Sequence, residues 1–464
     1  MDIHSETMTD DPGIAQSDPP KQRWRDRFIL RFVKFVVFFL YEKVEVYRPP
    51  EWENLDESER ILAVSNHFGG FADPLLLMYG SPVVPRIIAR DKIWKVPVAG
   101  WIMRWIGAIP VHKPKEHKGK VSNDDMFASC YQALADHQVL LIFPEGITRE
   151  DPSIAPVKTG AARIALGARA KGSDKIHILP MGIHYEDKAA LRSRVFINAG
   201  QTIDLDANID RYAPDGDATA DNREAVSRLT TDIETVLRRV APNFADWEEA
   251  RALTEAAEVT LRAEADDPLD EVSIADRDRL ASDLSRANED QKKQVLEEAA
   301  EWDTTMSAVG LTDRQVYEKV GAGKFLGFLF TSALVLLIAV PLALLGLAVN
   351  IWPMLAVWLI GFAPVEPAVK ATAKPGGAIV FFGIAWGFAI WQGFEQGIVT
   401  GILVMVILPV SLAALIYAAE RIVRIFRALS QWTKLRRSDR LADNIAEARS
   451  DLVASVREAV PEGN

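Results

Sequence analysis

The stretch Ile61-Leu62-Ala63-Val64-Ser65-Asn66-His67-Phe68-Gly69-Gly70-Phe71-Ala72-Asp73-Pro74 decides the reading of the chain. Residues 61–65 are an apolar run short enough for a buried strand, and it stops at a histidine followed by two glycines. Three further segments repeat the pattern: residues 139–143, 176–181 and 195–199 read as buried strands. Residues 127–135 and 161–170 between them read as helices. Strands that alternate with helices predict an α/β sheet domain over residues 43–240.

Within the first stretch an imidazole and a carboxylate lie six positions apart. On a continuous helix they would sit ~240° apart around the axis and could not meet. Gly69 and Gly70 permit a tight turn that brings them together. A carboxylate on one ring nitrogen of His67 fixes the tautomer and leaves the other to act as a general base on a hydroxyl. The plainer alternative is a helix-capping Asp73 beside an unrelated surface His67. Phe143-Pro144-Glu145-Gly146-Ile147-Thr148-Arg149 also follows a strand, where α/β domains place ligands. Arg149 and the turn amides suit a phosphate, and a solvated arginine on a plain turn suits the residues equally. Gly107-Ala-Ile-Pro-Val-His-Lys-Pro114 brings Lys113, with Lys115, Lys118 and Lys120 beyond it. Such a run is a solvated loop, or a surface for phosphate or an anionic bilayer.

Taken in order, His67-x5-Asp73, the Ile-Pro-Val-x-Lys stretch, Phe-Pro-Glu-Gly and Ile178-Leu-Pro-Met-Gly182 resemble the four motifs of the glycerolipid acyltransferases. These are the 1-acylglycerol-3-phosphate and glycerol-3-phosphate acyltransferases. The five residues between His and Asp are similar to the branch that includes glycerol-3-phosphate and dihydroxyacetone-phosphate acyltransferases, as are Asp125-Met-Phe-Ala-Ser-Cys130, Lys158-Thr-Gly-Ala-Ala-Arg163 and Tyr185-Glu-Asp187. Lys113 stands where many members carry Arg, and Ile147 adds a residue before Thr148-Arg149. The resemblance implies a mixed sheet flanked by helices. It makes His67 the general base and Asp73 its orienting partner. It gives Glu145, Gly146, Arg149 and Lys113 to the acceptor-phosphate site and Pro180 and Gly182 to the shape of the pocket. It also implies an acyl-CoA or acyl-carrier-protein co-substrate, no bound cofactor, and glycerol 3-phosphate or its 1-acyl form as acceptor. Another lysophospholipid or a lyso-aminolipid is the alternative acceptor. A non-catalytic lipid-binding scaffold is the contrasting class, and the intact His67/Asp73 pair argues against it.

The chemistry is coherent at this level. A thioester already carries a good leaving group, so the alcohol must be deprotonated and the tetrahedral oxyanion stabilised. An imidazole near its ordinary pKa of about 6.5 suits that task. No Gly-x-Ser-x-Gly elbow occurs, and no covalent acyl-enzyme is needed. No metal is expected, because His112 and His117 have no partners at zinc spacing. His184 either lines the pocket or packs in the core, and the single cysteine, Cys130, reads as a core residue.

The flanking segments describe a membrane protein. The chain has 464 residues and a formal net charge of −11, which disfavours a nucleic-acid partner. Residues 241–318 hold 21 acidic and 8 basic residues, so the remainder is close to neutral. Residues 1–21 read as a disordered tail. Residues 22–42 are Phe-rich and carry Arg27, Arg31 and Lys34 at helical spacing, which fits an amphipathic helix in an anionic headgroup layer. An ordinary core helix with one basic stripe would look similar. Residues 241–320 form an acidic helical connector. Residues 325–365 contain no charge, enough for two spans with residues 350–353 as their turn. Residues 375–394 and 396–419 supply two more, giving about four transmembrane helices over 325–419. Two spans plus re-entrant segments would give the same sidedness. Lys370, Lys374, Arg421, Arg424 and Arg427 flank the apolar runs, so the positive-inside rule puts both termini and the α/β domain in the cytoplasm. The expected location is a bacterial inner membrane, with residues 420–464 a basic and then acidic helical tail.

Overall fold

The computed structural model describes residues 24–50, 52, 58–112, 123–148, 151–265, 271–309, 313, 322–363, 367–435 and 439–461. The expected tail at 1–21 lies outside them, as do Lys113, Arg149 and the lysines at 115, 118 and 120.

Eight strands form one mixed sheet: β1 (Tyr41–Tyr47), β2 (Arg60–Ser65), β3 (Arg86–Arg90), β4 (Ile109–Val111), β5 (Leu140–Ile142), β6 (Ile176–Tyr185), β7 (Ser193–Ala199) and β8 (Ile203–Asp204). Their spatial order is β1-β7-β6-β2-β5-β3-β4, with β8 paired to β6. β2 runs parallel to β5 on one side and to β6 on the other, with Val64 opposite Ile142 and Pro180. The C-terminal ends of β2, β5 and β6 therefore open on one edge, where the segments that follow them meet.

Side chains of β2 alternate between two cores, as a strand buried on both faces requires. Leu62 and Val64 join the cluster formed with α4 (Asp124–Ala135), α5 (Gly160–Ala170), the short α6 (Ile209–Tyr212) and α7 (Arg223–Val240). Ala63 joins the opposite cluster with α1 (Trp24–Leu40), α2 (Ala72–Gly80) and α3 (Pro97–Ile106). The strand expected at 176–181 continues to Tyr185, and the helix expected over 22–42 gives way to β1 at Tyr41.

Beyond the sheet, α8 (Trp247–Glu264), α9 (Ile274–Ser285) and α10 (Glu289–Val309) pack with α14 (Asp439–Ala459) around Leu253, Trp302, Leu452 and Val456. The last helix of the chain thus completes the acidic bundle. Glu45 of β1 fastens that bundle to the sheet, because it accepts from the Ser273 hydroxyl at 2.6 Å and the Ala275 amide at 3.1 Å, at the N-terminus of α9.

Between α10 and α14 lie α11 (Ala322–Ile360), α12 (Pro367–Gln396) and α13 (Ile398–Leu435). Among the described residues these supply three helices long and apolar enough to cross a membrane: Phe325–Ile360, Thr372–Gln396 and Ile398–Phe426. The turn expected at 350–353 is not formed, because α11 runs through it. The polar side chain that looked like a turn residue is paired inside the bundle instead. Asn350 donates to Ser411 Oγ at 3.0 Å and accepts from Trp386 Nε1 at 2.8 Å.

Both ends of α11 reach the sheet-domain end of the helices. Thr331 accepts from Arg421 at 3.3 Å, next to Glu420, which pairs with Arg192 at 2.8 Å. At the other end Gly361 lies against Lys374, whose ammonium donates to the Ala189 carbonyl. A straight helix would hold Thr331 and Gly361 roughly 45 Å apart at 1.5 Å per residue. α11 is therefore bent back, and Pro341 and Pro353 inside it each remove a backbone donor from the hydrogen-bond ladder.

Candidate active site

His67 leaves the end of β2 and Asp73 sits in the first turn of α2, so the two residues approach across a tight turn. His67 Nδ1 is 2.7 Å from Asp73 Oδ2. The Gly69 amide donates to both carboxylate oxygens, at 3.0 and 2.9 Å, and the Tyr185 hydroxyl donates to Oδ1 at 2.6 Å. Asp73 is fully buried, and every group around its carboxylate is a donor. That set requires Nδ1–H on His67, which leaves Nε2 with its lone pair free to accept. Gly69 has to lack a side chain: a Cβ there would lie 2.7 Å from Asp73 Oδ1 and would meet the Tyr185 ring. Gly70 takes φ +61°, a left-handed conformation that glycine adopts without strain.

Glu145 lies in the turn after β5 and is 1% exposed. Its Oε1 accepts from the His67 backbone amide at 2.9 Å, and its Oε2 accepts from the Ala155 amide at 2.9 Å. Burial raises its carboxyl above the usual range, and the two amide bonds oppose that shift. Its carbonyl accepts from Lys158, whose ammonium lies over Gly146 at φ +65°. Phe143 stacks on the His67 ring with centroids 4.2 Å apart. Asn66, fully buried, donates to the Ile183 carbonyl at 3.0 Å and accepts from its amide at 2.7 Å, which locks the end of β2 to β6.

The structure brings His67, Asp73, Glu145 and Gly146 together. Pro180 lies on β6 opposite Val64 of β2, and its carbonyl accepts from the Gly200 amide at 3.0 Å. Gly182 lies against the Val240 carbonyl at the end of α7, where a Cβ would collide. Lys113 and Arg149 fall outside the described residues. His184 bridges the Val240 carbonyl at 2.6 Å and Asp278 at 3.4 Å, so it joins the sheet to α9.

Sequence reasoning assigned no role to Tyr185, Asn66 or Phe143, and gave Gly69 the turn but not its amide bond to Asp73. The signal for Tyr185 was its place in the segment after the fourth motif. The parallel register of β2 and β6 sets Ser65 opposite Met181 and carries the end of β6 alongside the turn. Burial and the nearby Asp73 charge push the Tyr185 phenol well above its ordinary pKa, so it stays a donor. No sequence signal marked Thr372 of α12, whose hydroxyl accepts from the Phe71 amide at 3.3 Å inside the same turn. Among the described residues no group of three metal-ligating side chains is found.

A family model described as Acyltransferase matches residues 47–184, the segment that holds His67, Asp73, Glu145, Gly146, Pro180 and Gly182 and ends one residue before Tyr185. Residues 47–184 are thus similar to the acyltransferases, and the relatives matched support the glycerolipid acyltransferases among them. Glycerol-3-phosphate O-acyltransferase 2 of Saccharomyces cerevisiae is 29% identical over 201 residues, 43% of this chain and 26% of that protein. Glycerol-3-phosphate O-acyltransferase 1 of the same yeast is 28% identical over 134 residues, 29% of this chain and 17% of that protein. The chloroplastic 1-acyl-sn-glycerol-3-phosphate acyltransferase BAT2 of Brassica napus is 31% identical over 159 residues, 34% of this chain and 43% of that protein. The matches thus span less than half the length of each of these acyltransferases.

Proposed function

We propose that the chain is a membrane-bound acyltransferase that moves a fatty acyl group from an acyl-thioester to a hydroxyl of glycerol 3-phosphate or 1-acylglycerol 3-phosphate. The observation that carries this reading is the buried Asp73 carboxylate on His67 Nδ1, which leaves Nε2 as a base. In the forward step Nε2 takes the proton of the acceptor hydroxyl as its oxygen attacks the thioester carbonyl. The tetrahedral oxyanion collapses, the carbon–sulfur bond breaks, and the imidazolium returns its proton to the departing thiolate. Asp73 holds the ring and offsets its transient positive charge, as in other His–carboxylate pairs. Arg149 and Lys113 supply positive charge for the acceptor phosphate, with Gly146 giving the turn room. Glu145 serves that site by holding the His67 backbone. Pro180 and Gly182 shape the strand beneath it.

Charge and apolar helices support the setting. A phosphate acceptor and a lipid product both suit a basic site held against a bilayer. The flanking Lys370, Lys374, Arg421 and Arg424 support a cytoplasmic side for the α/β domain and both termini, by the positive-inside rule. A bent α11 that returns to the side it left keeps that sidedness with α12 and α13 as the crossing pair. An inner membrane facing a cytoplasmic pool of acyl-CoA or acyl-carrier protein fits this topology.

The test is labelled acyl transfer by the full chain in nanodiscs, with glycerol 3-phosphate and 1-acylglycerol 3-phosphate offered separately against each donor. Product from one acceptor, with thiol release only when that acceptor is present, supports the assignment. Thiol release without an acceptor would make the protein a thioesterase. No product with any pair would shift the reading to another lysolipid.

A further inference from the structure

On the sheet face that carries α1 and α2, α3 presents an exposed apolar surface. Trp101 is 59% exposed, and Val96 at the start of α3 is 53% exposed. Exposed tryptophan and branched aliphatic side chains on one short helix mark an interaction surface rather than ordinary scatter. The Trp101 ring stacks on Trp105 with centroids 5.8 Å apart, and Trp105 meets the edge of Phe28 of α1 at 6.2 Å. Arg25 of α1 adds a bond to the Trp105 carbonyl at 3.4 Å, so the two helices share one outer surface.

That surface continues into the membrane helices. Phe28, Phe32, Phe35 and Phe39 follow helical spacing along α1, and Phe35 and Phe39 meet Trp386 of α12 at 6.1 and 6.3 Å. An aromatic band therefore runs from an apolar membrane helix, along α1, to α3. Its charge is of one sign on the α3 side. Lys92, Lys95 and Arg104 are exposed there, and no acidic residue occurs between Asp91 and Glu116. Tryptophan and cations together on an apolar face are the composition of the headgroup layer of an anionic bilayer.

We infer that α3 docks into the anionic leaflet beside α1, with Trp101 buried at the acyl–headgroup boundary. The inference rests on the membrane reading above and adds an anchor that sits in the catalytic domain itself. Its consequence is that the domain meets the lipid surface on both α1 and α3, and not only at the membrane helices.

The experiment is spin-label accessibility on the full chain in phosphatidylethanolamine/phosphatidylglycerol nanodiscs. Labels are placed singly through Trp101→Cys, Ile384→Cys on α12 and Glu297→Cys on α10. Native Cys130 stays silent, because it is fully buried and burial pushes its thiol up to about 12. The expected result is more collision with oxygen than with a water-soluble nickel chelate at positions 101 and 384, and the reverse at 297. Nickel-dominated collision at 101 with oxygen-dominated collision at 384 overturns the α3 anchor alone. Nickel-dominated collision at 384 overturns the membrane reading itself. Should Trp101→Cys fail to fold, Val96→Cys reports on the same surface.

Discussion

The Tyr185 hydroxyl donates to Asp73 Oδ1 at 2.6 Å, and it reaches across from the end of β6 to the first turn of α2. That bond makes the orientation of His67 depend on two strands and not on its own turn alone. Asp73→Asn should leave packing intact but lower kcat by about 10³–10⁴-fold, because an amide presents a donor to a shell made only of donors. Tyr185→Phe removes one bond and leaves the charge, so kcat should fall roughly tenfold, which corresponds to about 1.4 kcal/mol. Steady-state kinetics on both variants, with circular dichroism as the fold control, checks the ranking.

Glu145 is expected to act by position. Glu145→Gln turns one oxygen into an NH₂ that faces a backbone amide, from either His67 or Ala155. Leaving such a buried donor pair unmatched costs about 1–3 kcal/mol. Both the melting temperature and kcat should fall, with KM for the acceptor changed much less. A rise in KM at constant kcat would instead place the carboxylate in direct contact with substrate.

Two strands show what the residues did and did not disclose. β2 was legible because Leu62, Ala63 and Val64 are apolar on both faces and the glycines mark its end. β1 was not, because Glu42, Lys43 and Glu45 break the apolar pattern. An edge strand tolerates them, and Glu45 is there to bind the start of α9. The dyad was legible as a spacing, whereas its third member, Tyr185, depended on strand register. The apparent turn at Asn350 failed as a signal because its partners, Trp386 and Ser411, are 36 and 61 residues away. The partner of α14 was equally hidden, since one amphipathic helix does not say which bundle it completes.

Acid should loosen the bundle from the sheet. Burial alone would raise the Glu45 carboxyl, but hydrogen bonds from Ser273, Lys43 and the Ala275 amide outweigh it and hold it below the usual range. A carboxyl lowered in the folded state contributes stability above its unfolded value and loses it as pH falls through the folded one. With unfolded glutamate near about 4.3, docking should be intact at neutral pH and weaken below roughly pH 4. Hydrogen exchange of α9 between pH 3.5 and 7 reads this directly. Glu45→Gln should flatten the dependence.

The polar node among the three long apolar helices offers a separate test. Asn350→Leu removes both of its interhelical bonds and leaves the Trp386 N–H without its acceptor. Such bonds are worth about 0.6–2 kcal/mol each. The variant should melt lower in detergent while the sheet domain keeps its fold. An unchanged melting curve would mean that α11 is held by packing alone.

The most direct measurement is acyl transfer by His67→Gln beside wild type, in nanodiscs, with the acceptor that supports wild-type turnover. The expected result is loss of transfer by at least about 10²-fold, as removal of a general base requires, at an unchanged melting temperature. Transfer at the wild-type rate by a folded His67→Gln protein would contradict the assignment of His67 as the base.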